Sequence, residues 1–359
     1  MRGTVATPPA GYATSEAVTT CTRARLNAMR KKKLSDAEEG DAGRAFGETW
    51  YRFFPELTKR YRHYPRGVSH YTTASGLIGI CRTNALWATC AQYSNDHSEA
   101  QYGAEIAKDL FDILEPDERS ILGVSLAFVV GRPLFAPPRT REWGSLDAFT
   151  VSFCKSKDLL SQWRGYGSKL GFEIRFSGMA LGNASRRNKT ISLQSEAMLT
   201  GVWAKIEYDP KVQKNMISET MTRIADVRRE LKKDSYFDVF HAPMLAHLAL
   251  IEIARWVHSV KHPKFEEEQE WRIIAFLNSG PMAPLATRAA GMEFREGQHG
   301  VMPYVELRPN DGKLLPISEV VCGPGTHESL TPKAVELLLA RYGFSNFKVT
   351  TSEVPLRPL

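Results

Sequence analysis

The sequence lacks the short motifs that mark the large nucleotide-dependent and hydrolytic enzyme families. The glycine-rich run from Gly323 to Thr326 has no lysine, so no P-loop is present, and no GxGxxG fingerprint follows a strand-like segment. No HExxH motif occurs, and neither Ser152 nor Ser161 stands in a nucleophile elbow. These absences argue against P-loop ATPases and kinases, Rossmann dehydrogenases, HExxH metalloenzymes and α/β-hydrolases.

Cysteine patterns that would indicate a disulfide framework or a zinc ribbon are also missing. The five cysteines are far apart, odd in number and form no CxxC pair. Free thiols fit a reducing cytoplasm. His258 and His262 are four residues apart on a predicted helix, but no matching carboxylate accompanies them, so we interpret them as surface histidines. We therefore predict no metal cofactor.

No segment combines the length and the apolar character of a membrane span. The most apolar stretch, Met244 to Val257, is interrupted by His247, Glu252 and Arg255 and is too short to cross a hydrocarbon layer of about 30 Å. The first twenty residues contain no apolar core of signal-peptide length. We expect a cytoplasmic protein without a transmembrane helix.

What is present is the composition of an ordinary globular protein with a modest basic excess. The chain has 359 residues, 43% of them hydrophobic, enough to bury a full core without disulfide or metal support. Its net charge of +7 favours contact with nucleic acid, nucleotide phosphates or acidic surfaces. We divide it into a basic N-terminal arm (1–34), a helix (35–65) and one domain (66–356) with a helical insertion at about 211–262.

The order of strand-like and helical segments predicts an α+β fold. The domain opens with a strand, a helix capped by Ser75 and a second strand. The main predicted strands are 68–72, 85–89, 149–153, 171–176, 270–276 and 317–322, and the main predicted helices are 76–82, 158–166, 212–232, 237–260 and 332–342.

Polar side chains mark the end of the first predicted strand, where the chain turns into a helix. His70, Tyr71 and Thr72 bring an imidazole, a phenol and a hydroxyl to this position, which is typical of binding clefts. Alternation along a regular strand places Tyr71 on the face opposite His70, so that only one of the two lines the cleft. The alternative is a buried histidine that bonds a neighbouring carbonyl group.

Three further segments contain candidate binding or catalytic residues. Asn95 stands at a predicted helix start, where it either caps the helix or contacts a ligand. Trp163 and Tyr166 lie one turn apart on a short helix and either stack on a flat ring or fill the core. Glu270 enters an apolar strand with Arg272 on the same face, either as part of a solvated acidic loop or as a functional carboxylate.

In this order, the segments resemble a bacterial family of uncharacterised proteins, domain of unknown function 2971 (DUF2971). The resemblance covers roughly residues 66–356. It rests on His70 to Thr72 with Gly76 and Leu77, Leu86-Trp87, Asn95-Asp96 with Glu99, Ser152-Phe153, Leu160 with Trp163 and Tyr166, Gly171 to Ile174, Glu270 to Arg272, and the strand from Ile317 to Gly323.

The layout also looks like the His-Tyr-Glu arrangement of ADP-ribosyltransferases (ART-like), which are split α+β folds that bind NAD⁺. This resemblance implies a split mixed or antiparallel sheet with inserted helices. It implies that His70 holds the nicotinamide ribose, and that Glu270 stabilises the ribose as the glycosidic bond opens. The stacking aromatic would be Tyr71, Trp163 or Tyr166. The implied NAD⁺ contacts are His70, Tyr71, Thr72, Asn95, Trp163, Tyr166 and Arg272, with Glu270 and His70 as the catalytic pair.

The resemblance implies an enzyme that uses NAD⁺ as a substrate, as an ADP-ribosyltransferase with a protein or nucleic-acid acceptor or as an NAD glycohydrolase. Such an activity would suit a bacterial toxin or an anti-phage defence effector with an antitoxin or another defence partner, and no membrane partner is expected. Two other functions stay open. One is a non-catalytic module that binds a nucleotide or nucleic acid, and the other is a nuclease with Asp96, Glu99 and Glu270 around a metal ion.

Overall fold

The computed structural model describes residues 34–54, 66–93, 102–103, 105–106, 148–166, 170–177, 198–277, 289, 291–297, 300–309 and 312–355. Predictions on Asn95, Asp96, Glu99 and residues 1–33 of the N-terminal arm lie outside this part of the chain. The described part has the predicted α+β fold, in which six α-helices accompany one ten-stranded mixed sheet.

The strands are β1 (Gly67–Thr73), β2 (Leu86–Cys90), β3 (Ala148–Cys154), β4 (Gly171–Ser177), β5 (Met198–Lys205), β6 (Glu270–Leu277), β7 (Glu293–Gly297), β8 (Gly300–Leu307), β9 (Ile317–Cys322) and β10 (Lys348–Thr351). The α-helices are α1 (Asp36–Phe53), α2 (Ala74–Thr83), α3 (Leu160–Tyr166), α4 (Pro210–Leu231), α5 (Ala242–Val257) and α6 (Leu330–Arg341). A π-helical turn (Phe237–His241) precedes α5, and a 3-10 helix (Pro263–Glu268) precedes β6.

Local sequence explains where several helices begin. Ser35 and Glu38 form a reciprocal capping box at the start of α1. Thr73, rather than the predicted Ser75, caps α2, because its hydroxyl accepts a hydrogen bond from the backbone amide of Gly76 at 3.2 Å. Asp209 caps α4 in the same way.

The sheet divides at β3. One edge of β3 pairs with β6 along its whole length. On the other edge, β1 pairs near the end of β3, where Ser69 lies opposite Cys154, and β2 pairs near its start, where Thr89 lies opposite Thr150. Between these points, residues 151–153 have no strand neighbour on that edge in the described part of the chain. We call the gap between β1 and β2 the split.

Two arms leave β3 on either side of the split. The first arm runs from β1 through β4 and β9 to β10, and the second runs from β2 through β8 to β7. The pair of β9 and β10 is parallel, and the other described pairs in the two arms are antiparallel. The structure therefore contains a mixed sheet in which a single strand joins two arms.

Different helices cover the two faces of the sheet. Phe153 and Ile174 point to one face, where they pack with residues of α2 and α6 in a common core. Ile274 and Phe276 point to the opposite face, where they pack with residues of α1, α4 and α5. We refer to these as the α2 face and the α5 face.

The segment that contains α5 belongs to the core of the domain. By length and composition alone, Phe237–Val257 could cross a membrane. Leu245 and Ile253 are nevertheless buried in the core of the α5 face. The charged groups of Glu252 and Arg255 pair with each other at 3.0 Å. We therefore interpret α5 as a core helix.

Candidate functional site

His70 lies in the split, on the side of β1. Its Nδ1 is 2.9 Å from the carbonyl oxygen of Ser152, which belongs to the stretch of β3 without a strand neighbour on this edge. The ring is half-buried, and its centroid lies 5.8 Å from that of Phe153. The imidazole thus donates a hydrogen bond to the Ser152 carbonyl at the point where strand pairing along this edge of β3 is interrupted. The histidine bonds a carbonyl group, as the alternative reading of this segment predicted.

This hydrogen bond determines which nitrogen of His70 carries the proton. A carbonyl oxygen only accepts, so Nδ1 is the donor. Burial lowers the pKa of His70; the bond to Ser152 opposes this effect, and the positive charge of Arg295 adds to it. The ring is therefore neutral near pH 7. Nε2 then presents a lone pair, to which no residue of the described part donates a hydrogen bond.

A second group of polar and aromatic side chains lies on the arm that begins with β2. Tyr304 is paired with Thr89 on one side and with Glu293 on the other, so these three side chains share a face. Arg295 lies two residues beyond Glu293 in β7 and therefore points to the same face. Nη2 of Arg295 donates to the hydroxyl of Thr89 at 2.6 Å. The guanidinium lies over the rings of Trp87 and Tyr304. Thr89 is opposite Thr150, which is opposite Ile274, so the register places this group on the α5 side of the sheet, whereas His70 is on the α2 side. The charge of Arg295 nevertheless acts on the His70 imidazole.

Sequence reasoning missed Arg295. It lies on a five-residue edge strand whose sequence, EFREG, is largely charged. The available signal is the alternation of Glu293 and Arg295 on one side with Phe294 and Glu296 on the other. That signal indicates a strand but not its neighbours.

Glu270 lies on the opposite face of the sheet from His70. Side chains of directly paired residues share a face, and Ser69 pairs with Cys154, which in turn pairs with Glu270. His70 follows Ser69 in β1 and therefore points to the α2 face, whereas Glu270 points to the α5 face. The register of three strands thus contradicts the predicted catalytic pair in one cleft.

Glu270 belongs to a buried cluster whose charges cancel. Arg272 donates to both of its carboxylate oxygens, at 2.5 and 2.9 Å, and Nζ of Lys261 lies 3.2 Å from Glu270 and 2.6 Å from Glu268. Burial alone would raise the pKa of Glu270, but the charges and hydrogen bonds of Arg272 and Lys261 hold it below its usual value. Glu270 and Arg272 therefore form a structural ion pair, which corrects their predicted roles in catalysis and NAD⁺ binding.

Tyr71 and Trp163 form part of the core. Their relative exposures are 6% and 1%, and their rings meet edge to face with centroids 4.9 Å apart. Nε1 of Trp163 donates to Asp158 at 2.7 Å, and the hydroxyl of Tyr71 accepts from the amide of Leu159 at 2.9 Å. Trp163 therefore fills the core, which is one of the two roles predicted for it, and the burial of both rings argues against the predicted stacking on nicotinamide. Tyr71 does lie on the face opposite His70, as strand alternation predicted.

A buried carboxylate beside Tyr71 was also missed by sequence reasoning. Glu173 is fully buried, and it accepts hydrogen bonds from Ser69 at 2.5 Å and from the amide of Asp158 at 2.8 Å. Burial raises the pKa of Glu173, and these bonds partly offset that effect. The group ties β1 and β4 to the start of α3, so its role is to hold the fold.

The remaining residues predicted to contact NAD⁺ are Thr72, Tyr166 and Asn95. Thr72 is half-buried on the same face of β1 as His70. Tyr166 is the last residue of α3. Asn95 lies outside the described residues.

The two histidines near α5 occupy different environments. His262 is exposed, as predicted, but His258 is 5% exposed, and its backbone carbonyl accepts from Arg272 at 3.3 Å. Burial, followed by the positive charge of Arg272, lowers the pKa of His258 to about 3. Within the described ranges, no group of three or more histidine, cysteine or acidic side chains is arranged to hold a metal ion.

Comparison with known proteins gives one partial family match and no activity. No curated protein and no solved structure matches the chain. Residues 162–273 match the model of DUF2971, a protein family of unknown function. This segment contains Trp163, Glu173 and Glu270, whereas His70 and Arg295 lie on either side of it. The match therefore supports the resemblance to DUF2971 over residues 162–273.

Proposed function

We propose that the chain binds a nucleotide in the split, with NAD⁺ as the ligand to test first. The observation that carries this proposal is the state of His70. The Ser152 carbonyl fixes its ring, burial keeps it neutral, and Nε2 offers a lone pair. Such an acceptor suits a hydroxyl donor, of which a ribose carries two. The net charge of +7 favours the phosphates of the same ligand.

Binding, rather than glycosyl transfer by Glu270, is the function that this geometry supports best. Opening the bond between ribose and nicotinamide creates positive charge that a nearby carboxylate has to stabilise. Glu270 is on the other face, and two cations already neutralise it and Glu268. ADP-ribosyl transfer and the toxin or defence roles stay predictions, and their carboxylate would be a different residue. A nuclease built on Glu270 is disfavoured for the same reason.

The test is a calorimetric titration of the purified chain with NAD⁺, together with His70→Asn and His327→Asn. An asparagine amide can still donate to the Ser152 carbonyl, so His70→Asn should fold, but it offers nothing in the place of Nε2. His327 is exposed and serves as the matched control. We expect binding by the wild type and by His327→Asn, and an affinity lower by about tenfold in His70→Asn, equivalent to one hydrogen bond of about 1.4 kcal/mol.

Two outcomes would count against these assignments. Equal NAD⁺ affinity of His70→Asn and the wild type, at equal thermal stability, would remove His70 from the site and with it the proposal. Nicotinamide release, followed in the same samples, reports on turnover. Release that disappears in Glu270→Gln while the fold stays intact would contradict the structural role of Glu270.

A further inference from the structure

Arg295 is a half-buried guanidinium whose described contacts orient it without neutralising it. Nη2 donates to the hydroxyl of Thr89 at 2.6 Å. The guanidinium carbon lies 5.7 Å from the centroid of the Trp87 ring and 5.9 Å from that of Tyr304. A hydroxyl and two aromatic rings hold the planar group in one orientation, but none of them carries the negative charge that a buried cation requires.

Two less exposed guanidiniums in the described part of the chain have carboxylate partners. Arg272 pairs with Glu270 at 2.5 Å, and Arg255 pairs with Glu252 at 3.0 Å. Arg295 makes no ion pair with an acidic residue of the described part. Burial lowers the pKa of Arg295, as expected where a charge loses water without gaining a partner.

The acidic residues near Arg295 do not fill this role. Glu306 stands opposite Trp87 and pairs with Arg308 on its own strand. Glu293 shares the face of Arg295 but is exposed.

The guanidinium also has hydrogen-bonding capacity to spare. Nε is buried and has no acceptor, and Nη1 makes no hydrogen bond to a described residue. An unmet donor on a buried nitrogen is costly, and a bound ligand or water can supply the acceptor. Among the charges that act on Tyr304, those of Glu306 and Glu293 are the strongest, followed by Arg295 and the exposed Arg82 at the end of α2.

We infer that Arg295 is the centre of an anion site that takes a phosphate group. The planar guanidinium of Arg295 matches the oxygens of a phosphate group in a bidentate contact. Thr89, Trp87 and Tyr304 are the positioning residues of this site. The site does not require a nucleotide, because free phosphate, pyrophosphate and the phosphates of a ligand held at His70 present the same oxygens.

The experiment measures binding of inorganic phosphate and pyrophosphate by calorimetry and thermal shift, with chloride at matched ionic strength as the reference. The variants are Arg295→Met, which keeps volume but removes the charge, and Arg341→Met, which removes an exposed arginine at the end of α6. We expect pyrophosphate to raise the melting temperature of the wild type and of Arg341→Met. Its affinity should fall by at least about tenfold in Arg295→Met.

Two results would overturn the inference. The first is a melting temperature of the wild type that pyrophosphate raises no more than chloride does. The second is a pyrophosphate affinity of Arg295→Met equal to that of the wild type. If Arg295→Met does not fold, Thr89→Val provides the second test. It keeps the arginine but removes its orienting acceptor, and unchanged pyrophosphate affinity in that variant would also contradict the site.

Competition with NAD⁺ separates this inference from the proposed function. Pyrophosphate binding that depends on Arg295, without any NAD⁺ binding, would uphold the anion site and end the nucleotide proposal. NAD⁺ binding that depends on His70 but not on Arg295, without pyrophosphate binding, would do the reverse. Displacement of pyrophosphate by NAD⁺ would place the two side chains in one ligand site.

Discussion

Replacing Glu270 by glutamine should destabilise the fold, because the carboxylate neutralises buried cations. Glu270 and Arg272 are 3% and 5% exposed, and Lys261 is 8% exposed. Without the carboxylate, the buried Arg272 would lose the two charge-assisted hydrogen bonds that Glu270 accepts. The ADP-ribosyltransferase resemblance predicts the opposite, namely an intact fold with lost turnover.

The magnitude follows from the burial of the pair. Removing one partner of a buried ion pair costs about 3–5 kcal/mol, since the remaining charge keeps its desolvation penalty. With a urea m-value of about 3 kcal/mol/M for a chain of this size, the denaturation midpoint should fall by about 1–2 M. The exposed Glu266, four residues earlier, provides the matched control, and Glu266→Gln should leave the midpoint within about 0.2 M.

The same pair predicts a pH dependence. The pKa of Glu270 lies below its usual value in the folded state, so its stabilising contribution is complete above the ordinary carboxyl range near pH 4.5 and is lost as the pH falls below it. Urea titrations at pH 7 and at successively lower pH should show this acid loss in the wild type, and a smaller loss in Glu270→Gln. A Glu270→Gln midpoint equal to that of the wild type at pH 7 would refute the structural role.

Two more predictions concern packing and thiol reactivity. Gly323→Ala should lower the free energy of unfolding by about 1–3 kcal/mol, because its Cβ would lie 2.7 Å from the carbonyl oxygen of Gly171 and 2.8 Å from the Trp163 ring. In Gly47→Ala, in α1, the new Cβ would have nothing within 4 Å, and the free energy of unfolding should rise by about 0.5–1 kcal/mol. Equal stabilities of the two variants in urea denaturation would contradict the close packing around Gly323. Burial raises the pKa of the Cys81 thiol to about 12. An alkylating reagent at pH 8 should therefore modify Cys81 only under unfolding conditions, as detected by mass spectrometry. Rapid labelling of Cys81 in the native chain would contradict its burial.

Much of the fold could be predicted from short-range patterns. Alternation in the sequences of β1, β4 and β6 marks half-buried or buried strands, and the strand predicted at 317–322 agrees with β9. β7 was missed because a charged edge strand carries no apolar run. The position of β7 beside β8 depends on tertiary pairing, and so does the contact between Arg295 and Thr89.

The site was harder to predict, because it depends on the register between distant strands. Alternation correctly separated His70 from Tyr71 within β1. It could not relate His70 to Glu270, since their relative faces follow from the pairing of Ser69 with Cys154 and of Cys154 with Glu270. A shift of one residue in either pairing would have placed the imidazole and the carboxylate on the same face.

The single-strand junction at β3 has a mechanical consequence. In the described part of the chain, no ladder joins β1 to β2, so the angle between the arms can change without breaking an inter-strand hydrogen bond. Side chains of both arms share the core of the α2 face, however, so such a rotation also has to shift that packing. The width of the opening at Ser152 is therefore set by side-chain contacts, among them the bond from His70 to Ser152, and not by a backbone ladder.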